Sequence, residues 1–200
     1  MSTTHGLAGM AVASPFALAH PEYAGIALGF GFLGGVFPDF DLYVGHRKTL
    51  HFPVYYWVVL AFVCALWVVS PGPVVVGVVF FVLGAALHST MDIFGGGLEL
   101  RPWQKRSQRA VYNHATHRWH RPRRWIRYDG APEDALLGIL FAVLPAVVSG
   151  TEIRWLIGGT LAASLGYTLL RRKIPATTEW VVGFVPYSLR GYVPERFVEG

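Results

Sequence analysis

Three carboxylates and four histidines in this chain stand at spacings that let them share metal ions. The stretch GGVFPDFDLYVGHRKTLHF (34–52) carries Asp39, Asp41, His46 and His51. Asp39 and Asp41 follow Pro38 and lie two residues apart. An extended loop would point them to opposite sides, whereas a turn aims both at one centre. Farther along, ALHSTMDIFGGG holds His88 and Asp92, four residues apart and so on one face of a helix. A lone H-x-x-x-D arises often by chance, and a capping histidine beside an aspartate at a helix end is its plain alternative. His5, at the opening of the first helix, adds another imidazole.

Buried carboxylates repel one another unless cations neutralise them. Imidazole with carboxylate suits zinc first, with manganese or iron as alternatives. The candidate ligands are His5, Asp39, Asp41, His46, His51, His88 and Asp92. These are too many for one tetrahedral ion and match two. A bound divalent ion would polarise a phosphoryl or carbonyl oxygen and lower the pKa of its water toward about 7. An aspartate left free of metal, Asp39, Asp41 or Asp92, would take the proton. Arg47 stands beside the cluster and can grip an anionic substrate group through its planar fork, or equally a lipid phosphate. The competing picture is a plain set of interfacial hydrogen bonds and salt bridges.

These residues must be brought together by a very apolar chain. Of 200 residues, 53% are hydrophobic and 14% charged, about half the usual charged fraction. Residues 52–87 contain no Asp, Glu, Lys or Arg, and neither do 6–21, 23–38, 135–151 or 155–170. About 18 apolar residues suffice to cross a bilayer. SPGP (70–73) divides the longest run into two helices joined by a turn. The expected fold class is all-α: a polytopic membrane bundle of about six helices, 4–19, 22–37, 53–70, 73–94, 133–149 and 152–171. It forms a single membrane domain over 1–200. TTH and TEIR offer hydroxyls as helix caps. Gly- and Ala-rich GLAGMAVA and GIALGFGFLGG predict close packing of the first two helices. FALAHP (16–21) resembles a cleavage site, but MSTTH lacks the basic residues of a signal peptide. The single cysteine, Cys64, sits in an apolar run and suits a small buried residue.

Charge supplies the topology. The loop 38–52 has Arg47 and Lys48, and the segment 95–132 has nine positive residues, from Arg101 to Arg127. Arg171, Arg172 and Lys173 follow the sixth helix, while the turns 70–73 and 149–152 have no Lys or Arg. Six alternating spans put every basic segment, both termini and all seven candidate ligands on one side. The positive-inside rule makes that side cytoplasmic, at the plasma (inner) membrane. The tail 172–200, with Arg190 and Arg196, is expected to lie at the interface. His20 falls at the far end of the first helix.

The ordered motifs, a TH-G-L-A-G start, PD-x-D, HR…H and H-x-x-x-D, resemble the membrane-bound metal-dependent hydrolase family that includes a LexA-associated inner-membrane member. The resemblance covers roughly residues 3–135. It implies hydrolysis and a metal site at His5, Asp39, Asp41, His46, His51, His88 and Asp92. Phe52 replaces the small hydroxyl residue of the family's HR-G-x-T-H-S motif, so any role for that hydroxyl is absent here.

YNHATHRWHRPRRWIRYDGAPED (112–134) sets His114, His117 and His120 three apart. His114 and His117 would share a helix face and offer a second metal site. The interleaved Trp and Arg better suit a headgroup layer, with Trp119 and Trp125 as anchors. Nucleic acid is the weaker partner for that pattern in a membrane protein. Asp129 belongs to a turn. The expected function is hydrolysis of a phosphoester in a lipid or amphiphilic substrate, with Asp39, Asp41 and Arg47 as the catalytic candidates. The alternatives are a non-catalytic metal-binding membrane protein or an anchor for a cytoplasmic partner. A transporter would need ionisable residues at mid-membrane depth, which the third, fifth and sixth predicted helices lack.

Overall fold

A computed structural model describes residues 1–193. It is all-helical apart from one small hairpin, with seven helices rather than six. They are α1 (Ser2–Ala19), α2 (Ala24–Val36), α3 (Tyr55–Val69), α4 (Pro73–Met91), α5 (Pro132–Val148), α6 (Thr151–Leu170) and α7 (Ile174–Gly183). The seventh, absent from the expected six, lies in the tail. Its ten residues span about 15 Å, half the thickness of a bilayer core. Arg196, expected at the interface, lies outside the described residues.

α1 runs through the middle, packed against α2, α4, α5 and α6. Its small residues make this possible. A Cβ on Gly9 would stand 2.0 Å from the Gly31 carbonyl oxygen of α2. A Cβ on Gly34 would stand 2.0 Å from the Phe81 oxygen, and one on Gly84 2.5 Å from the Gly31 oxygen. Only hydrogen fits at these crossings, so α1, α2 and α4 touch backbone to backbone. Around them Leu7, Met10, Ala13, Leu28, Val76 and Phe80 form the buried core.

The outside is as apolar as the inside. No residue of α3 is buried, and Phe62, Val68 and Val69 stand fully in the open. Leu136, Leu140 and Val147 on α5, with Trp155 and Leu169 on α6, are likewise exposed. Two helical stretches, Pro21–Tyr43 and Pro73–Phe94, are long and apolar enough to cross a membrane.

The expected hydroxyl caps do not form. α1 starts at Ser2 with Met1 as its cap residue, and α6 is capped by Gly150, neither through a side chain. TTH therefore falls inside α1, and Thr4 turns its hydroxyl to the Asp134 carboxylate of α5 at 2.7 Å instead. That buried bond, with Gly130 N–H donating to Asp134 at 2.8 Å, pins the start of α5 to the start of α1. Cys64 is half-buried rather than enclosed.

Candidate metal centre

The polar residues collect where α1 and α5 begin and α2, α4 and α6 end. A 3₁₀ segment, Phe37–Tyr43, continues α2 and carries Asp39 and Asp41. Pro38 opens it, and its tight winding is the turn that PDFD needs. A second bend at Gly45 (φ 90°) and Arg47 (φ 59°) turns the chain back toward the bundle. Arg47 is held in this left-handed conformation on all sides. Its N–H donates to Asp41 Oδ1 at 3.3 Å, its carbonyl accepts from Tyr112, and its Nη1 donates to the Gly96 carbonyl at 2.7 Å. A non-glycine residue so placed is uncommon and marks a constrained site.

Asp39, His51, His88 and Asp92 present ligand atoms that all lie within 4.8 Å of one another. His51 and His88 are fully buried, and Asp92 is 2% exposed. His51 Nδ1 lies 3.0 Å from Asp41 Oδ2, and His88 Nδ1 lies 2.6 Å from the Gly35 carbonyl oxygen. Both partners are acceptors, so both Nδ1 atoms carry the proton. In the neutral rings the two Nε2 atoms are then lone pairs, and they face each other at 3.1 Å. Asp92 Oδ2 sits 3.2 Å from His51 Nε2 and 3.4 Å from His88 Nε2, yet forms no hydrogen bond. Asp39 Oδ1 lies 3.5 Å from His88 Nε2 and 3.8 Å from His51 Nε2. A cluster of this kind could hold a metal ion. Ligands about 2.0–2.1 Å from a tetrahedral ion are about 3.3 Å from each other, close to these separations. Two imidazoles and two carboxylates therefore stand at separations that suit a tetrahedral metal site. Their outer nitrogens are already fixed by a carboxylate and a carbonyl, as ligating histidines require.

The other expected residues surround this group. Asp41 lies behind it, accepting from His46 Nδ1 at 3.0 Å, from His51 Nδ1, and from the Leu50 N–H at 3.1 Å. His46 is tethered to Asp41 and stands 3.9 Å from Asp39. Burial holds the His46 pKa below the ordinary histidine value despite its bond to Asp41. Burial also opposes charge on His51, but hydrogen bonding to Asp41 and the nearby Asp92 carboxylate outweigh it and raise its pKa. His5 is buried against the His88 ring, with centroids 4.1 Å apart, and its Nε2 lies 3.8 Å from Asp92 Oδ1. Neither of its ring nitrogens has a hydrogen-bond partner. Arg47 Nε is 3.3 Å from Asp92 Oδ2.

A cavity of about 570 Å³ opens beside the cluster, bordered there by Asp39, His46, Arg47 and Asp92. Ser2, which donates to Asp39 Oδ2, also borders it. Ser2 and the carbonyls of Gly35 and Gly96 escape a reading by residue type. Only the Gly-rich pattern of α2 hints that a bare backbone comes close there.

His114, His117 and His120 stand on no helix. β1 (Tyr112–Asn113) pairs with β2 (Arg118–Trp119) in a hairpin, with Tyr112 opposite Trp119, and His117 (φ 54°) sits in its turn. The left-handed residue closes the turn that a helix would have continued through. His114 Nε2 bonds the Lys48 carbonyl at 2.7 Å and His120 bonds Asn113 at 3.2 Å, so both brace the hairpin. His20 is exposed at the far end of α1 beside Glu22. Asp129 pairs with Arg171 at 3.1 Å. No protein-family model matches the chain, and neither curated proteins nor solved structures yield a match.

Proposed function

We propose that the chain is a multi-pass membrane protein with a metal-dependent hydrolytic site on its cytoplasmic side, acting on phosphoester bonds in a lipid or amphiphilic substrate. The observation that carries this reading is the pair of buried imidazole Nε2 atoms facing each other at 3.1 Å between two carboxylates. A bare site of that kind is unfavourable, and a divalent ion relieves it. The apolar exterior of α3, α5 and α6 supports burial in lipid, since soluble proteins rarely expose such large continuous apolar surface. A site closed on every side would suit a purely structural ion. Asp39, 18% exposed on its side chain, faces a cavity instead.

Asp39, His51, His88 and Asp92 would hold the ion, which supplies Lewis acidity and a more acidic water. The chain's own groups do the rest. Arg47 stands at the cavity edge with its charge toward the cluster and can draw in an anionic oxygen. Asp41 has its oxygens committed to four N–H groups, so it orients His46 and His51 rather than moving a proton. His46 keeps Nδ1 on Asp41, which leaves Nε2 as the basic atom at the cavity.

The test is metal analysis of purified protein, paired with hydrolysis of phosphomonoesters, phosphodiesters and phospholipids. His88→Ala and Asp92→Asn should lose metal and turnover together. Metal present in the wild type with no turnover on any class would leave a structural metal protein. Metal absent from a folded wild type would end the reading.

A further inference from the structure

The cavity extends well past the cluster, and its far side selects a ligand class. We propose that it seats an amphiphile with one anionic end, a phosphate monoester at the Asp39–Arg47–Asp92 end, whose apolar chain lies along α6 and the start of α7. The head end rests on the metal reading above; the chain seat rests on the walls. Beyond the cluster the lining includes the apolar Leu98, Leu100, Ala163 and Ile174 among polar side chains. Ala163 belongs to α6, whose Leu169 and Leu170 are exposed, so the apolar wall runs on into the apolar exterior. At about 570 Å³ the cavity falls in the ordinary range for a small-molecule site. It is therefore larger than a phosphate alone requires.

The far end disfavours a second anion. Arg171 is there, but its charge is already paired with Asp129, and each of its three nitrogens makes a bond. Nε and Nη2 donate to Asp129 at 3.1 and 3.2 Å, and Nη1 donates to the Leu100 carbonyl at 3.3 Å. Tyr167 also gives its hydroxyl to Asp129, and Glu99 adds a negative group to the lining. A second phosphate arriving there would meet the Asp129 and Glu99 carboxylates and an Arg171 already paired with Asp129, and would give up its water for little return. Nucleotides and bisphosphates are thus disfavoured against a single-headed chain.

The experiment uses the full chain in lipid nanodiscs, loaded with zinc, and titrates inorganic, methyl, butyl and octyl phosphate by calorimetry. Affinity should rise along the series by up to about fourfold per methylene, the gain for burying apolar surface. Octane-1,8-diyl bisphosphate should lose most of the octyl gain, a comparison that needs no variant. Ala163→Trp and Ile174→Trp, on separate elements, should flatten the series while zinc content and inorganic phosphate binding stay unchanged. Zinc-dependent phosphate binding with a flat series in the wild type overturns the chain seat and spares the metal site. Phosphate binding indifferent to zinc overturns the metal reading instead. A series that survives both tryptophans, or a bisphosphate as tight as octyl phosphate, also overturns the seat.

Discussion

Asp41 receives His46 Nδ1, His51 Nδ1 and the main-chain N–H groups of Arg47 and Leu50. That arrangement turns Nε2 of His51 toward His88 and Asp92, so the carboxylate would govern metal binding without touching an ion. Asp41→Asn keeps the shape but replaces one acceptor oxygen with a donor NH₂ against these N–H groups. We expect metal affinity to fall about 10- to 100-fold, read by chelator competition, with the helical content unchanged. His5 poses the opposite question. It is buried with both ring nitrogens unpartnered, an arrangement that costs about 1–3 kcal/mol unless something binds there. Asp92 turns Oδ2 to the four-residue cluster and Oδ1 toward His5, the placement of a carboxylate that bridges two ions. Two equivalents of metal are expected in the wild type and one in His5→Leu, by elemental analysis. A single equivalent in both would make His5 a packing residue. The residue types alone suggested this whole set, because acids and histidines are conspicuous in so apolar a chain. They did not separate ligand from support, since Asp39 and Asp41 differ only in which way a 3₁₀ turn points them.

At the scale of elements, the site is placed by glycines. Gly35 gives its carbonyl to His88 while its own Cα crowds the His5 carbonyl, where a Cβ would stand only 2.3 Å away. The approach of α1, α2 and α4 is thus the same fact as the meeting of His5, Asp39 and His88. Gly34→Ala would drive a methyl into the Phe81 carbonyl. It should destabilise by about 1–3 kcal/mol or more and release metal as the crossings widen. Gly29→Ala, on the same helix with nothing within 4 Å, should gain about 0.5–1 kcal/mol from reduced chain entropy and keep its metal. Thermal unfolding followed with metal release checks both. The helices themselves were legible, since uninterrupted apolar runs bounded by SPGP and by Ser149–Gly150 leave little freedom. The polar segment was not. The β1–β2 hairpin depends on Ala110 donating to the His120 carbonyl, on His120 donating to the Val111 carbonyl and on Tyr112 donating to the Arg47 carbonyl, contacts that no local periodicity announces. α7 was hidden because Pro175 and two threonines at its start look like linker.

For the whole molecule, the fold gives the charge pattern a geometric meaning. Thr4 bonds Asp134, Arg171 bonds Asp129, and Arg47 bonds Gly96, so α1, α5, α6 and the basic loops share one end. The opposite end carries His20, Ser70 and Gly150, in short connections without Lys or Arg. A chain so arranged has a polar, basic cap over an apolar trunk, and positive loops are held on the cytoplasmic side during insertion. Among the described residues two stretches meet the length and apolarity of a span by themselves, so in the proposed multi-pass arrangement the other helices would enter with partners. α1, lined with Gly and Ala, is shielded by α2, α4 and α5 rather than by its own hydrophobicity. Because Cys64 is the only cysteine, side can be read by thiol labelling on a Cys64→Ser background. Ser70→Cys and Gly150→Cys should react with an impermeant maleimide added outside intact cells. Gln108→Cys, in the basic cap, should react only after the membrane is opened. Labelling of Gln108→Cys from outside would invert the molecule and move the metal site to the other face. Labelling of all three from one side would mean that the helices do not alternate across the bilayer, and the trunk would then have to bury its apolar faces against other protein instead of lipid.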